Sequence, residues 1–186
     1  MSKGNIYIVS GPSGVGKGTV VKQAAAENEK IVLSISATTR RPRDGETDGI
    51  EYYFLTKEKF SQMIDENGFL EHAVYCDNFY GTPKQAVYDK IEQGYDVILE
   101  IDVQGGLQIM EKLPEAKGIF IFPPSYKELE RRLRKRQSET DDVIAKRLAA
   151  AKGEISKAVY YDYFVVNAEL EDAVRAVVKI IEQNRE

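Results

Sequence analysis

The sequence predicts an α/β fold with a mostly parallel central sheet. Five apolar runs of strand length alternate with helical stretches, which is the order expected for parallel strands joined by helices. The runs are almost continuously apolar, as in a sheet that is covered on both faces. They lie at residues 5–10, 31–36, 97–101, 118–122 and 163–166.

The helices between these strands are marked by their end signals. The first is predicted from residue 16 or 17 to about residue 28. Another is predicted to begin at Thr82, with Pro83 at its first position and Gln85 completing a capping box, and to end before Gly94. The other signals are a capping box at Ser125 and Glu128, a helix start at Thr140 and a last helix over about 170–184.

Two stretches depart from this alternation. Residues 37–81 are rich in tyrosine, glycine and charge, with short strand signals at 52–54 and 69–75. Residues 125–157 read as two polar helices joined at about 137–139. Both stretches are typical of excursions from a core sheet that move over a ligand.

Composition limits the possible classes of function. The chain has 186 residues with 42% hydrophobic and 30% charged side chains, which suits one soluble domain. Single Cys76 and His72 exclude an intramolecular disulfide and the usual zinc sites, and no apolar run is long enough to cross a bilayer. We therefore expect a cytoplasmic protein that contacts no membrane.

Charge is distributed unevenly along the chain. The net charge of −4 argues against a nucleic-acid partner. Arginines nevertheless cluster at residues 131–136 and at Arg40, Arg41 and Arg43. An acidic protein with two local arginine clusters is typical of one that binds small polyanions.

The strongest motif directly follows the first strand. Its residues are Gly11, Pro12, Ser13, Gly14, Val15, Gly16, Lys17, Gly18 and Thr19. They match the Gly-x4-Gly-Lys frame of a phosphate-binding loop, in which glycines let backbone N–H groups turn toward phosphate oxygens and the lysine adds a charge. The next helix adds its N-terminal dipole, so we expect a nucleoside triphosphate here.

One position departs from that motif. Gly18 stands where Ser or Thr usually binds Mg²⁺, and Thr19 follows as a candidate replacement. A dinucleotide-binding loop is excluded, because the glycine spacing differs and no acidic residue ends the second strand. The alternative of a plain glycine-rich turn is disfavoured by the strand before the loop and the helix after it.

Acidic residues close the strand predicted at 97–101. Glu100 and Asp102 are two positions apart, so on one strand they would point to the same side. Carboxylates beside a phosphate loop hold Mg²⁺ directly or through its waters. Capping of the following turn is the other explanation for acids at this place.

Several polar segments beyond the loop form a more specific pattern. They are Ser36-Ala-Thr-Thr-Arg40-Arg-Pro-Arg43-Asp-Gly-Glu46, Asp48-Gly-Ile-Glu-Tyr52, Gly68-Phe-Leu-Glu71, Asn78-Phe-Tyr80-Gly81-Thr82 and Glu100-Ile-Asp102-Val-Gln-Gly, with Arg132, Arg136, Arg147 and Asn167 further along. Over nearly the whole chain this pattern resembles the guanylate kinase family. The resemblance implies a three-layer P-loop kinase in one domain, with a core (1–35, 82–124 and 158–186), a small GMP-binding insertion (36–81) and a helical lid (125–157).

The resemblance also implies an activity, which is transfer of the γ-phosphoryl group of ATP to GMP, and also to dGMP, with Mg²⁺ as cofactor. The implied GMP-binding residues are Ser36, Arg40, Arg43, Glu46, Tyr52, Glu71, Tyr80, Gly81, Thr82, Glu100 and Asp102. Arg132 and Asn167 join the loop in binding ATP, and the implied catalytic residues are Lys17, Arg40, Asp102, Arg136 and Arg147. The implied partners are ATP and GMP, for a monomer or a homodimer.

These residue types suit the implied roles. Arginine forks bind a phosphate with two donors at once, and the hydroxyls of Tyr52 and Tyr80 would complete a cage around it. Guanine presents two donors on one edge, which a single carboxylate such as Glu71 accepts together. Thr82 has two open interpretations, as a contact to the base or as a helix N-cap. His72 is interpreted as an outward-facing or core histidine, because direct transfer needs no phosphohistidine.

The arginine-rich helix contains side chains with different expected roles. Arg132 and Arg136 are four residues apart and share a helical face, which Arg147 from the next helix can join. The family resemblance implies that these three offset charge on the transferring phosphoryl group. Arg131, Arg134 and Lys135 are interpreted as a solvated face.

Two rival functions remain at this stage. One is a kinase of the same chemistry that acts on AMP or a pyrimidine monophosphate, which the arginine, tyrosine and Glu71 pattern disfavours. The other is a non-catalytic domain that resembles the family and binds phosphoproteins, which the retained Lys17 disfavours.

Overall fold

The computed structural model describes residues 3–75, 77–135 and 140–185. The elements in chain order are β1 (Ile6–Ser10), α1 (Lys17–Glu27), β2 (Ile31–Leu33), β3 (Ala37–Thr38), β4 (Tyr53–Phe54), α2 (Lys57–Asp65), β5 (Phe69–Tyr75), β6 (Asn78–Pro83), α3 (Lys84–Glu92), β7 (Asp96–Glu100), α4 (Val103–Lys112), β8 (Lys117–Phe122), α5 (Tyr126–Lys135), α6 (Asp141–Ser156), β9 (Tyr163–Val166) and α7 (Leu170–Gln183). A short 3₁₀ helix, Lys157–Tyr160, connects α6 to β9. None of the helices within the described ranges is long and apolar enough to cross a bilayer.

The central sheet consists of the five predicted apolar runs. Its strands are all parallel and lie in the order β2-β7-β1-β8-β9. The second strand ends at Leu33 instead of residue 36, because β2 lies at the sheet edge and the chain leaves that edge to form β3. In the register of β1 and β7, Val9 is paired with Glu100, so the loop after β1 and the carboxyl end of β7 meet at one edge.

Helices cover both faces of this sheet. On one face Tyr7 and Ile121 pack with Val177 from α7 in a core cluster of buried residues. On the other face Ile8 packs in a second cluster with Ile109 from α4. The three-layer α/β fold predicted from the sequence is therefore confirmed.

Residues 37–83 form a separate small sheet with a helix against it. The strand order is β4-β3-β6-β5, with β3–β4 parallel and the other pairs antiparallel. Helix α2 packs here through Phe60, whose ring stacks on Phe69 at 4.3 Å and on Phe79 at 5.4 Å between centroids. The sequence analysis missed α2, although Thr56 caps it by accepting from the backbone N–H of Lys59 at 3.1 Å.

The start of α3 differs from its prediction. Thr82 lies in β6, and the helix begins at Lys84 with Pro83 as its N-cap and no side-chain cap. The capping box at Thr82 was therefore wrong. The backbone stays extended there because β6 pairs with β5 as far as Pro83, and the Thr82 hydroxyl donates to Glu71 instead.

Residues 125–135 and 140–156 form the two polar helices of the second excursion. Ser125 caps α5 by accepting from the N–H of Glu128 at 3.1 Å, and α6 begins after Thr140 as predicted. The predicted junction at 137–139 lies outside the described residues. Both helices bury a small apolar cluster of their own, formed by Leu129, Leu133, Ile144 and Ala151 with Leu148 against it.

Candidate active site

The loop between β1 and α1 contains two glycines in the left-handed region. Gly14 has φ of 88° and Gly16 has φ of 96°, values that residues with a Cβ rarely adopt. Helix α1 begins at Lys17, and its first backbone N–H groups have no partner inside the helix. The local backbone is thus that of an anion-binding loop at a helix N-terminus.

A first cleft, which we call the loop cleft, opens beside this loop. Its volume is about 750 Å³, and its lining residues are Ser13, Gly14, Gly16, Lys17, Gly18, Thr19, Lys22, Gln23 and Glu100. The ammonium of Lys17 donates to the carbonyl oxygen of Gly11 at 2.7 Å, so it lies against the loop. Gly11, Pro12 and Val15 belong to the loop and are buried.

A second cleft, the carboxylate cleft, lies between the small sheet and α4. Its volume is about 620 Å³, and it brings together the predicted residues Ser36, Tyr52, Glu71, Tyr80, Gly81, Glu100 and Asp102, together with His72. Gln104, Gly105 and Gln108 also line it and were not predicted as site residues, although Gln104 and Gly105 end the segment that begins at Glu100. Gln104 and Gln108 are four apart, so their helical spacing after Asp102 was the available signal.

Arg40 is not among the residues that line the carboxylate cleft, but it lies next to Tyr52, which does line it. Its guanidinium forms a two-pronged ion pair with Glu46 at 2.8 and 2.9 Å and lies 5.4 Å from the ring centroid of Tyr52. The hydrogen bond with Glu46 raises the pKa of Arg40, and a hydrogen bond with Tyr80 also raises it. Glu46 also accepts from the backbone N–H of Arg43 at 2.7 Å. Glu46 thus organises the arginine segment.

Glu71 is an acid that lines the carboxylate cleft. Burial raises its pKa, whereas the hydrogen bond from the Thr82 hydroxyl, at 2.7 Å, lowers it and the nearby charge of Asp102 raises it further. The other carboxylate oxygen lies near Gly105, since a Cβ built there would be 3.6 Å from it. A partly desolvated carboxylate with one fixed donor is suited to accept hydrogen bonds from a ligand.

Asp102 does not lie on the strand that ends at Glu100. It is the N-cap of α4 and accepts from the backbone N–H of Gly105 at 2.8 Å. The prediction that Glu100 and Asp102 share one side of a strand was therefore wrong, because β7 ends at Glu100. Both nevertheless line the carboxylate cleft.

Glu100 connects the two clefts, because it lines both of them. A Cβ built on Gly18 would lie 3.2 and 3.3 Å from its two carboxylate oxygens. That separation is tighter than an ordinary contact. Glycine at position 18 therefore leaves room for the Glu100 carboxylate at the start of α1.

Two arginines from α5 and α6 contact the loop. Arg147 on α6 donates to the Ser13 hydroxyl at 2.5 Å. Arg132 on α5 donates to two backbone carbonyl oxygens, those of Val15 at 3.2 Å and Asn167 at 3.0 Å. Arg136, the third predicted arginine, lies outside the described residues. The predicted contacts of Arg132, Asn167 and Arg147 with ATP stay predictions.

The donor set of the loop cleft fits Mg²⁺. Magnesium is usually held by one or two protein oxygens together with substrate phosphates and several waters. The Thr19 hydroxyl and the Glu100 carboxylate line the cleft and supply such oxygens. Within residues 3–75, 77–135 and 140–185, no group of three or more His, Cys, Asp or Glu side chains forms a complete metal cage.

A phosphate loop that follows the first strand of a parallel sheet, next to a second polar cleft and two polar helices, defines a P-loop phosphotransferase. Comparison with known proteins identifies the family. The guanylate kinase family model matches residues 3–184. The chain therefore belongs to the guanylate kinase family.

Individual relatives agree with this assignment. The guanylate kinase of Clostridioides difficile is 48% identical over 185 residues, which cover 100% of this chain and 90% of the relative. That of Synechocystis sp. is 51% identical over 179 residues, covering 96% and 94%. The crystal structure of guanylate kinase from Anaplasma phagocytophilum superposes with a TM-score of 0.76 at 36% identity, covering 98% of this chain and 86% of that one.

Proposed function

We propose that this chain transfers the γ-phosphoryl group of ATP to GMP, and also to dGMP, releasing ADP and the diphosphate. The proposal rests mainly on Glu100, whose carboxylate lines both clefts, so that ligands in the two clefts meet beside it. A nucleoside triphosphate in the loop cleft would present its last phosphate to a monophosphate in the carboxylate cleft. Direct in-line transfer between them needs no covalent enzyme intermediate.

The carboxylate cleft and the arginine segment beside it are proposed to bind the base and the phosphate of GMP. Arg40, Arg43, Tyr52 and Tyr80 are proposed to bind the phosphate, with Glu46 holding the arginine segment. Glu71 is proposed to accept from guanine, with Ser36, Gly81 and Thr82 beside it. The division into core, GMP-binding insertion and lid is part of the same proposal.

A coupled assay for ADP release tests this function. Each nucleoside monophosphate is supplied in turn with ATP and Mg²⁺. We expect turnover with GMP and dGMP far above that with AMP, CMP or UMP. Equal or better use of AMP would contradict the proposal, and absence of any turnover would favour a binding domain. Sedimentation of the same sample decides between a monomer and a homodimer, and fractionation of the source cells tests the proposed cytoplasmic location.

The proposed cofactor gives a first prediction. Bound Mg²⁺ would neutralise charge on the β- and γ-phosphates, and Thr19 and Glu100 would hold it directly or through its waters. Transfer should stop in excess chelator and return with Mg²⁺. Glu100→Gln should weaken Mn²⁺ binding to the ADP complex by about 10-fold, measured by electron paramagnetic resonance, which is the order for loss of an outer-shell ligand.

Asp102→Asn is the matched variant for this measurement, because the sequence predicted both acids near the metal, whereas in the structure Asp102 lines the carboxylate cleft and not the loop cleft. Asp102 caps α4 and lines the carboxylate cleft, so its loss should slow turnover with GMP and leave Mn²⁺ affinity within about twofold. If Glu100→Gln binds Mn²⁺ as tightly as the unmodified chain, Glu100 does not take part in holding the metal.

The lid gives a second prediction. Arg147 reaches Ser13 in the loop, and we propose that it acts on the transferring phosphoryl group, as does Arg136. Arg147→Ala should lower kcat by about a hundredfold, the order for loss of one donor to transition-state charge, with little change in KM for GMP. Lys146→Ala removes the same charge from the exposed neighbouring position and should change kcat less than about threefold. A change in Arg147→Ala that is confined to KM would assign this arginine to binding.

A further inference from the structure

Helix α5 packs directly on the phosphate-binding loop. Leu129 and Leu133 are fully buried, and a Cβ built on Gly14 would lie 2.6 Å from the nearest methyl carbon of Leu133. The loop can approach the helix this closely because Gly14 has no side chain. Both leucines also pack with Ile144 and Ala151 of α6, so this part of α5, backed by α6, forms one wall of the loop.

The guanidinium of Arg132 makes three hydrogen bonds where α5 meets the loop. Its Nε donates to Glu128 at 2.9 Å, one terminal nitrogen to the carbonyl oxygen of Val15 at 3.2 Å, and the other to that of Asn167 at 3.0 Å. The side chain is 23% exposed. Arg131 binds the same Glu128 carboxylate but is 64% exposed. The two neighbouring arginines therefore share one counter-ion, and Arg132 also bonds to the loop.

The carbonyl of Val15 accepts a second hydrogen bond in the same place. The side-chain amide of Asn167 donates to it at 2.8 Å, and Asn167 is 6% exposed. The Val15 side chain is fully buried, so this peptide is held by packing and by two donors. A trans peptide directs its C=O and N–H to opposite sides. With the carbonyl of Val15 directed to Arg132 and Asn167, the N–H of Gly16 points away from them.

We infer that Glu128, Arg132 and Asn167 are positioning residues that hold the phosphate loop in its binding conformation. Gly16 lines the loop cleft, so an N–H directed there is a donor for the phosphates of a nucleoside diphosphate or triphosphate. Arg132 acts through the Val15 carbonyl, and the three residues limit the loop's freedom before a ligand arrives. This inference rests on the proposed function in taking the ligand to be a nucleotide.

Arg132→Ala and Arg131→Ala test the inference as a matched pair. Each removes one arginine from the same Glu128, and Arg132→Ala alone removes the donors to the backbone of Val15 and Asn167. Calorimetry with ADP and no acceptor should show about tenfold weaker binding for Arg132→Ala, the order for loss of charge-assisted hydrogen bonds. Amide hydrogen exchange of residues 11–19 should become faster. Arg131→Ala should change neither quantity.

Arg132→Lys separates positioning from simple charge. Lysine keeps the positive charge but offers one compact ammonium in place of three directed donors. If Arg132 positions the loop, the lysine variant should bind ADP as weakly as the alanine variant and exchange as fast. Restoration of normal ADP affinity by lysine, or unchanged exchange of residues 11–19 in Arg132→Ala, would overturn the inference.

Glu128→Gln provides a milder variant in case Arg132→Ala does not fold. It keeps the size of the side chain and removes the charge that orients Arg132, so it should show the same two changes to a smaller extent; an unaltered loop would again contradict positioning. These readouts use the protein with ADP alone. ADP affinity and amide exchange do not depend on whether the chain phosphorylates GMP. A failure of the proposed function would appear in the coupled assay and not in these two measurements.

Discussion

Lys17→Ala should lower phosphoryl transfer by about a thousandfold or more, the order expected when a cation acting on the transferring group is lost. Lys17 lies at the start of α1, and its ammonium lines the loop cleft where the β- and γ-phosphates are proposed to bind. In a site of this kind the protein contributes placement and charge, because the reacting phosphate supplies the chemistry itself. The measurement is kcat/KM with saturating GMP and varied ATP.

Lys22→Ala is the control for this prediction. Lys22 lines the same cleft from the next turn of α1, so its removal changes the net charge equally. We expect a change of less than about threefold there. Both variants should unfold at a temperature close to that of the unmodified chain, because the hydrogen bonds of the Lys17 ammonium to the carbonyl oxygens of Gly11 and Pro12 stay within its own loop. Near-normal turnover in Lys17→Ala would remove the loop from the donor site.

The central sheet and its loop could be predicted because their signals are local. Continuous apolar runs define β1, β7, β8 and β9, and the glycine spacing with Lys17 defines the loop. Helix α2 was missed because its stability depends on Phe60, whose ring stacks on Phe69 and Phe79. Such contacts are set by the tertiary fold and leave a weak trace in the local pattern.

The site was predictable in its residue types and less so in its contacts. Chemistry and the family resemblance together indicated Glu71, and the structure places it in the carboxylate cleft with its predicted neighbours. The sequence could not show whether the Thr82 hydroxyl donates within the cleft or caps a helix, because both roles use the same group. Glu128 was interpreted as half of a capping box, whereas its carboxylate binds Arg131 and Arg132. Contacts of Arg132 with Val15 join residues 117 positions apart, which no local pattern reports.

Glu71→Gln should greatly reduce the use of GMP and the preference for GMP over AMP. The carboxylate can accept from both the ring N1–H and the exocyclic amine of guanine, while the amide of glutamine turns a donor toward one of them. A site that hydrogen-bonds specific donors can reject an analogue lacking them by about four orders of magnitude, because its own polar groups are left unpaired. We therefore expect that preference to shrink to about tenfold, the order left when specific hydrogen bonds are lost and general packing remains. ATP binding should be unchanged.

The pH dependence gives this prediction a second readout. Burial raises the pKa of Glu71, so the ionised form that accepts from guanine is lost at a higher pH than for an exposed glutamate. The kcat/KM for GMP should fall as pH decreases through this raised pKa, since that ratio reports ionisation of the free enzyme. Thr82→Val removes the donor that lowers the pKa and should move the fall to higher pH. In Glu71→Gln the same fall should disappear.

Glu66→Gln is the control, because it makes the same chemical change at an exposed position. Glu66 is the C-cap of α2 and does not line the carboxylate cleft. The variant should keep both the GMP preference and the pH profile. The decisive measurement is kcat/KM for GMP and AMP across pH in the unmodified chain and in both variants. If Glu71→Gln retains the full preference for GMP, guanine is recognised by another group, and Gln104 and Gln108 become the next candidates because they line the same cleft. A lost preference with an unchanged pH profile would mean that Glu71 shapes the cleft without accepting from the base in its ionised form.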